Sequence, residues 1–124
     1  MKKRILLIED ETDIREAMAE AIEDAGFEVL QAGDGMQGLQ IAKNEKPDLI
    51  LLDLIMPVMD GKETLKKLRQ DEWGRTAKVI ILTAMDDVIN VAVTHEHNIE
   101  DYIIKAHASL DEIVNKVRLA VHTS

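Results

Sequence analysis

Short apolar runs in this chain end, one after another, in groups that can bind or transfer charge. Ile5-Leu6-Leu7-Ile8 runs into Glu9 and Asp10, and Leu49-Ile50-Leu51-Leu52 runs into Asp53. Val79-Ile80-Ile81-Leu82 ends in Thr83, and Tyr102-Ile103-Ile104 ends in Lys105. Carboxylates packed together repel and raise at least one pKa. A hard divalent cation relieves that repulsion, and an all-oxygen site with open water positions suits Mg²⁺, with Mn²⁺ as the alternative. A carboxylate beside such an ion can attack a phosphoryl group and become an acyl phosphate. The Lys105 ammonium would neutralise the phosphoryl oxygens, and the Thr83 hydroxyl would donate a hydrogen bond to them. One polar residue opening a loop is ordinary; four elements ending this way together point to a site.

The elements that must position these groups alternate. The continuous apolar runs suit strands buried on both faces, as in a parallel sheet. Helical spacing follows each. Ile14, Ala17, Met18, Ala21 and Ile22 share one face, Asp13 with Glu16 forms a capping-box pattern, and Gly26 stops the helix. Phe27 to Gln31 is a second strand, and Asp34 caps a helix carrying Leu39 and Ala42 that ends before Pro47. A helix with Leu65 and Leu68 follows the third strand, a less regular one spans 87–97, and the last carries Leu110, Ile113, Val114, Val117 and Val121. Five strand–helix units in 124 residues predict an α/β fold: one doubly wound domain over residues 1–124, with helices on both faces of a parallel sheet. In such sheets ligands bind outside the carboxyl ends of the strands, where the polar groups lie.

Composition narrows the function classes. Hydrophobic residues make up 46% of the chain and aromatics only 2%, so the core is aliphatic. With 15 basic and 24 acidic residues, the net charge of −9 argues against binding nucleic acid or an anionic membrane. The absence of cysteine excludes thiolate metal sites and cysteine nucleophiles. The apolar run after Met1-Lys2-Lys3-Arg4 is too short for a signal peptide, and a cytoplasmic location is expected.

Four stretches together resemble the receiver domain of two-component response regulators, over essentially the whole chain. They are Glu9-Asp10; Asp53-Leu54-Ile55-Met56-Pro57-Val58-Met59-Asp60-Gly61; Leu82-Thr83-Ala84; and Asp101-Tyr102-Ile103-Ile104-Lys105. The resemblance implies a flavodoxin-like (βα)5 fold with strand order 2-1-3-4-5. It implies that Asp53 is the phosphoacceptor and that Asp10 and Asp53 bind Mg²⁺ directly. Glu9 would act through water, and the Ile55 carbonyl would complete the protein ligands. Lys105 would contact the phosphoryl group. Thr83 and Tyr102 would form a switch pair that alters the face of the fourth helix, fifth strand and fifth helix. The donor would be a histidine kinase or phosphotransfer protein, and the output a docked partner protein, with a homodimer on phosphorylation compatible. The chain would catalyse only its own phosphorylation and dephosphorylation. The family pattern has proline after the lysine, with a cis bond before it; here Ala106 stands there. A cis bond before a non-proline residue costs about 2.5–4 kcal/mol, and strain of that size does persist at functional sites, so cis is expected.

Blander roles compete at several positions. Tyr102 fits a half-buried strand aromatic, Met56 and Met59 fit loop packing, and Pro57, Asp60 and Gly61 fit turn or capping chemistry. His95 and His97, two apart, make a poor metal pair on a helix. His107 is assigned no role. Trp73 fits a packed loop better than a partner anchor. Gly33-Asp34-Gly35-Met36-Gln37-Gly38 matches a dinucleotide-binding pattern, but it follows the second strand and leaves Glu9, Asp10, Thr83 and Lys105 unexplained. A hydrolase with an aspartate nucleophile wants an acid at the position of Ile55. A flavin carrier wants clustered aromatics. The remaining alternative is a non-phosphorylated interaction module on the same fold, which predicts a broken acidic cluster.

Overall fold

Residues that are apolar on both sides of a strand need cover on both sides of the sheet, and that requirement sets the architecture. The computed structural model describes residues 2–54, 56, 59–83, 99–105 and 108–122. In chain order the elements are β1 (Arg4–Ile8), α1 (Thr12–Asp24), β2 (Glu28–Ala32), α2 (Gly35–Glu45), β3 (Leu49–Asp53), α3 (Gly61–Gln70), a short 3₁₀ turn (Gly74–Thr76), β4 (Val79–Thr83), β5 (Asp101–Ile104) and α4 (Leu110–His122). All pairings are parallel and the order is β2-β1-β3-β4-β5. The helix expected over 87–97 falls outside the described residues, so α4 is the element read from sequence as the fifth helix.

Side-chain alternation divides the core in two. Ile5, Leu7, Leu49, Leu51, Ile80, Leu82 and Ile103 pack with Met18, Ala19 and Ile22 of α1 and Ile113, Val114 and Val117 of α4. Leu6, Ile8, Ile50, Leu52, Val79 and Ile81 pack with Leu39 and Ala42 of α2 and Leu65 and Leu68 of α3. Every residue of β3 and β4 is buried. Burying each of the Val, Leu, Ile and Met side chains among these stabilises by about 1.5–3 kcal/mol.

Three local expectations are corrected. The capping box at Asp13 and Glu16 does not form: α1 begins at Thr12 behind Glu11, which makes no side-chain cap bond, so Asp13 lies inside the first turn. There its charge still favours the positive helix end. The buried stripe of α1 runs through Met18, Ala19 and Ile22, and Ala17 is exposed. Leu110, expected in the core, opens α4 at 44% exposure. The other caps match. Asp34 accepts from the Gln37 amide and Asp60 from the Glu63 amide, each at 2.8 Å. Among the described residues, no helix is long and apolar enough to cross a membrane.

Candidate functional site

Register carries the acidic residues to one edge. Ile8 pairs with Leu52, so the next positions, Glu9 and Asp53, stand opposite each other. Asp53 continues the alternation of Leu49 and Leu51, Glu9 that of Ile5 and Leu7, and Lys105 that of Ile103. Period-two geometry thus puts all three on one side at the strand ends. Thr83 continues Val79 and Ile81 and belongs to the opposite face.

The contacts bear this out. Lys105 Nζ lies 2.5 Å from Glu9 Oε1 and 3.2 Å from Asp53 Oδ2. Glu9 is 0% and Asp53 2% exposed. Burial alone would raise the Glu9 pKa. Hydrogen bonding and the adjacent Lys105 charge outweigh it, so Glu9 ionises below its ordinary value. Burial likewise works against the Lys105 charge. Its hydrogen bond to Glu9 and the negative charges of Asp53 and Glu9 prevail and hold its pKa above the ordinary lysine value.

One carboxylate oxygen from each of Glu9, Asp10 and Asp53 lies within 4.8 Å of the others. An all-oxygen donor set of this size fits a hard divalent cation. The Ile55 carbonyl, the other expected ligand, lies outside the described residues, as do Ala106 and the bond before it. Thr83 is fully buried, and its backbone carbonyl accepts from the Lys105 amide at 2.7 Å. Ile81 pairs with Tyr102 and Thr83 with Ile104, so Thr83 and Tyr102 lie diagonally on one face of the sheet. Tyr102 is 37% exposed and lines a groove of about 290 Å³ with Ile104, Ala108, Glu112 and Lys116. Lys116 there bonds Asp101 at 2.6 Å.

Two supports are not evident from residue type. A Cβ on Gly61 would come within 2.2 Å of the Asp53 carbonyl oxygen, and the Gly61 amide donates to the Leu54 carbonyl at 2.8 Å. Gly61 therefore serves close approach of α3 to the end of β3, rather than an unusual backbone angle. Arg15 donates from Nη1 to the Glu9 carbonyl at 2.8 Å. Sequence reasoning missed Arg15 because a backbone acceptor leaves no residue-type signal. The glycines of the dinucleotide-like pattern have packing roles: a Cβ on Gly35 would strike Thr64 Oγ1 and one on Gly38 would strike Ile8. Trp73 packs partly buried against the α2–α3 side of the core.

Comparison with known proteins agrees with the geometry. The family model described as response regulator receiver domain matches residues 5–118. The DNA-binding response regulator MtrA of Mycobacterium tuberculosis is 34% identical over 118 residues, covering 95% of this chain and 50% of that protein. The alkaline phosphatase synthesis transcriptional regulatory protein PhoP of Bacillus subtilis is 37% identical over 105 residues, covering 85% and 43%. The chain thus spans about half the length of such curated relatives or less. A solved putative response regulator from Chloroflexus aurantiacus superposes with a TM-score of 0.90 at 26% identity, covering 99% of this chain and 100% of that one.

Proposed function

The chain belongs to the response regulator receiver domain family, and on that premise we propose that Asp53 accepts a phosphoryl group in a cation-assisted reaction that switches the surface of the domain. The observation that carries this reading is the buried Asp53 carboxylate, set beside Glu9 and Asp10 and touched by Lys105 at 3.2 Å. A lone pair on an Asp53 oxygen attacks the phosphorus of a phosphohistidine. The P–N bond breaks and the imidazole nitrogen leaves with its electrons, so the product is an acyl phosphate. Asp10 and Asp53, with Glu9 through water and the Ile55 carbonyl, would hold Mg²⁺ or Mn²⁺, which supplies charge neutralisation at the phosphoryl oxygens. Lys105 would pass from carboxylate counter-ion to phosphoryl contact. Thr83, one register position beyond the Asp53–Leu82 pair, would donate its hydroxyl to a phosphoryl oxygen standing past the strand ends, with Tyr102 following on the same face of the sheet. Hydrolysis of the acyl phosphate would return the resting state.

The donor would be a histidine kinase or phosphotransfer protein in the cytoplasm. A partner protein, or a second copy of this chain, would read the face that includes β5 and α4. Residues 1–124 would form the receiver domain as a unit. The competing interaction module without phosphorylation predicts a broken acidic cluster, and Glu9, Asp10 and Asp53 are intact and adjacent.

Intact mass after incubation with acetyl phosphate, with and without Mg²⁺, tests the proposal. The expected result is a Mg²⁺-dependent gain of one phosphoryl group, absent from Asp53→Ala. An Asp53→Ala protein labelled to the same stoichiometry as wild type contradicts it.

A further inference from the structure

We infer that Arg15 is a positioning residue for the cation site, fixing the Glu9–Asp10 peptide so that Asp10 is presented in its binding orientation. The inference rests on the cation-site reading of Glu9, Asp10 and Asp53. The β1–β3 pairing ends at Ile8 and Leu52, so the Glu9 carbonyl emerges where the chain leaves the sheet and needs another partner. Arg15, in the first turns of α1, supplies it: Nη1 donates to that carbonyl at 2.8 Å, while Nε donates to Gln31 Oε1 on β2 at 3.2 Å. The Glu9 amide meanwhile donates to the Ala32 carbonyl at 3.1 Å. Both ends of the Glu9 backbone are therefore tied, one to β2 and one through Arg15. The next residue, Asp10, is left a single defined departure direction.

The choice of acceptors is informative. Arg15 lies in a stretch with Glu9, Asp10, Glu11, Asp13 and Glu16, yet among the described residues it makes no ion pair. Its cation is committed to a carbonyl and an amide oxygen. A planar guanidinium can serve two acceptors at fixed angles, which a lysine ammonium cannot reproduce. Gly33 makes room for it: a Cβ there would lie 3.3 Å from Arg15 Nη1. The first glycine of the dinucleotide-like pattern thus has a use in this site. Groups that orient metal ligands from behind typically change affinity by about 10–100-fold when removed.

The test is Mg²⁺ titration calorimetry on wild type, Arg15→Ala, Arg15→Lys and Gly33→Ala. Thermal unfolding of each in EDTA runs alongside. The expected result is a Mg²⁺ Kd weakened about tenfold in Arg15→Ala, partly recovered in Arg15→Lys and weakened to a lesser degree in Gly33→Ala. These affinities are read well below each variant's unfolding temperature, so a general loss of stability does not move them. Should Arg15→Ala fail to fold, Arg15→Lys and Gly33→Ala still decide. Wild-type binding with Kd unchanged in the folded variants overturns the positioning role alone. No Mg²⁺ binding by wild type overturns the cation-site reading, and this inference with it.

Discussion

A glutamate with no exposed surface is costly to ionise, and Glu9 is held ionised because Lys105 sits against it. The pair carries a pH signature in the metal-free protein. Glu9 has a folded pKa below its ordinary 4.5, so its contribution to stability is complete above that value and is lost as pH falls through the lower folded one. Lys105 has a folded pKa above its ordinary 10.5, so its contribution is complete below that value and is lost as pH rises through the higher folded one. Between the two ordinary values the pair stabilises fully. Lys105→Met leaves Glu9 and Asp53 buried together and should cost about 3–5 kcal/mol near neutral pH. The cost should shrink as the solution is acidified. Urea unfolding across pH checks this, and an unchanged midpoint at neutral pH contradicts it. Glu9, Asp53 and Lys105 were legible as a group because each ends an apolar run, and alternation then puts them on one side. Arg15 was not, because its partner is a carbonyl.

At the scale of elements, the runs covered on both faces were the most legible. β3 and β4 lie where the apolar pattern places them, since only a buried strand tolerates such runs. The edge strand β2 begins one residue later than expected, at Glu28; it is half exposed, and its pattern is correspondingly weaker. Helix starts were legible where a side chain caps them, as at Asp34 and Asp60, and misplaced at α1, where none does. Gly61→Ala should destabilise by about 1–3 kcal/mol, because the added methyl meets the Asp53 and Leu54 backbone and must displace the start of α3. It should also weaken phosphoryl acceptance, since Asp53 shares that backbone. A Gly61→Ala protein with wild-type unfolding midpoint and wild-type labelling refutes the close-approach role. Lys46 closes α2 with φ at 48°, in the left-handed region. Lys46→Gly should therefore stabilise by about 1 kcal/mol, read as a higher urea midpoint; a lower one contradicts the account.

For the whole molecule, strand order follows from the fold family and not from any single run, and register then delivers residues distant in sequence to one edge. A cation bound there but not by the unfolded chain must raise stability by mass action. At a hundredfold excess over Kd the gain is about 2.7 kcal/mol, which for a domain of this size is a melting shift of about 10 °C. Asp10→Asn should abolish the shift while raising the metal-free melting temperature, because one repelling carboxylate is gone. A wild-type melting temperature indifferent to millimolar Mg²⁺ speaks against the site.

Of the three clustered carboxylates, Asp53 is the proposed acceptor. Borohydride reduction of the acetyl-phosphate-treated protein, followed by peptide mass mapping, tests it most directly, because an aspartyl phosphate is reduced to homoserine. The expected product carries homoserine at position 53 with Glu9 and Asp10 unmodified. Reduction at Asp10 or Glu9, or a phosphoryl group retained through the treatment, contradicts it.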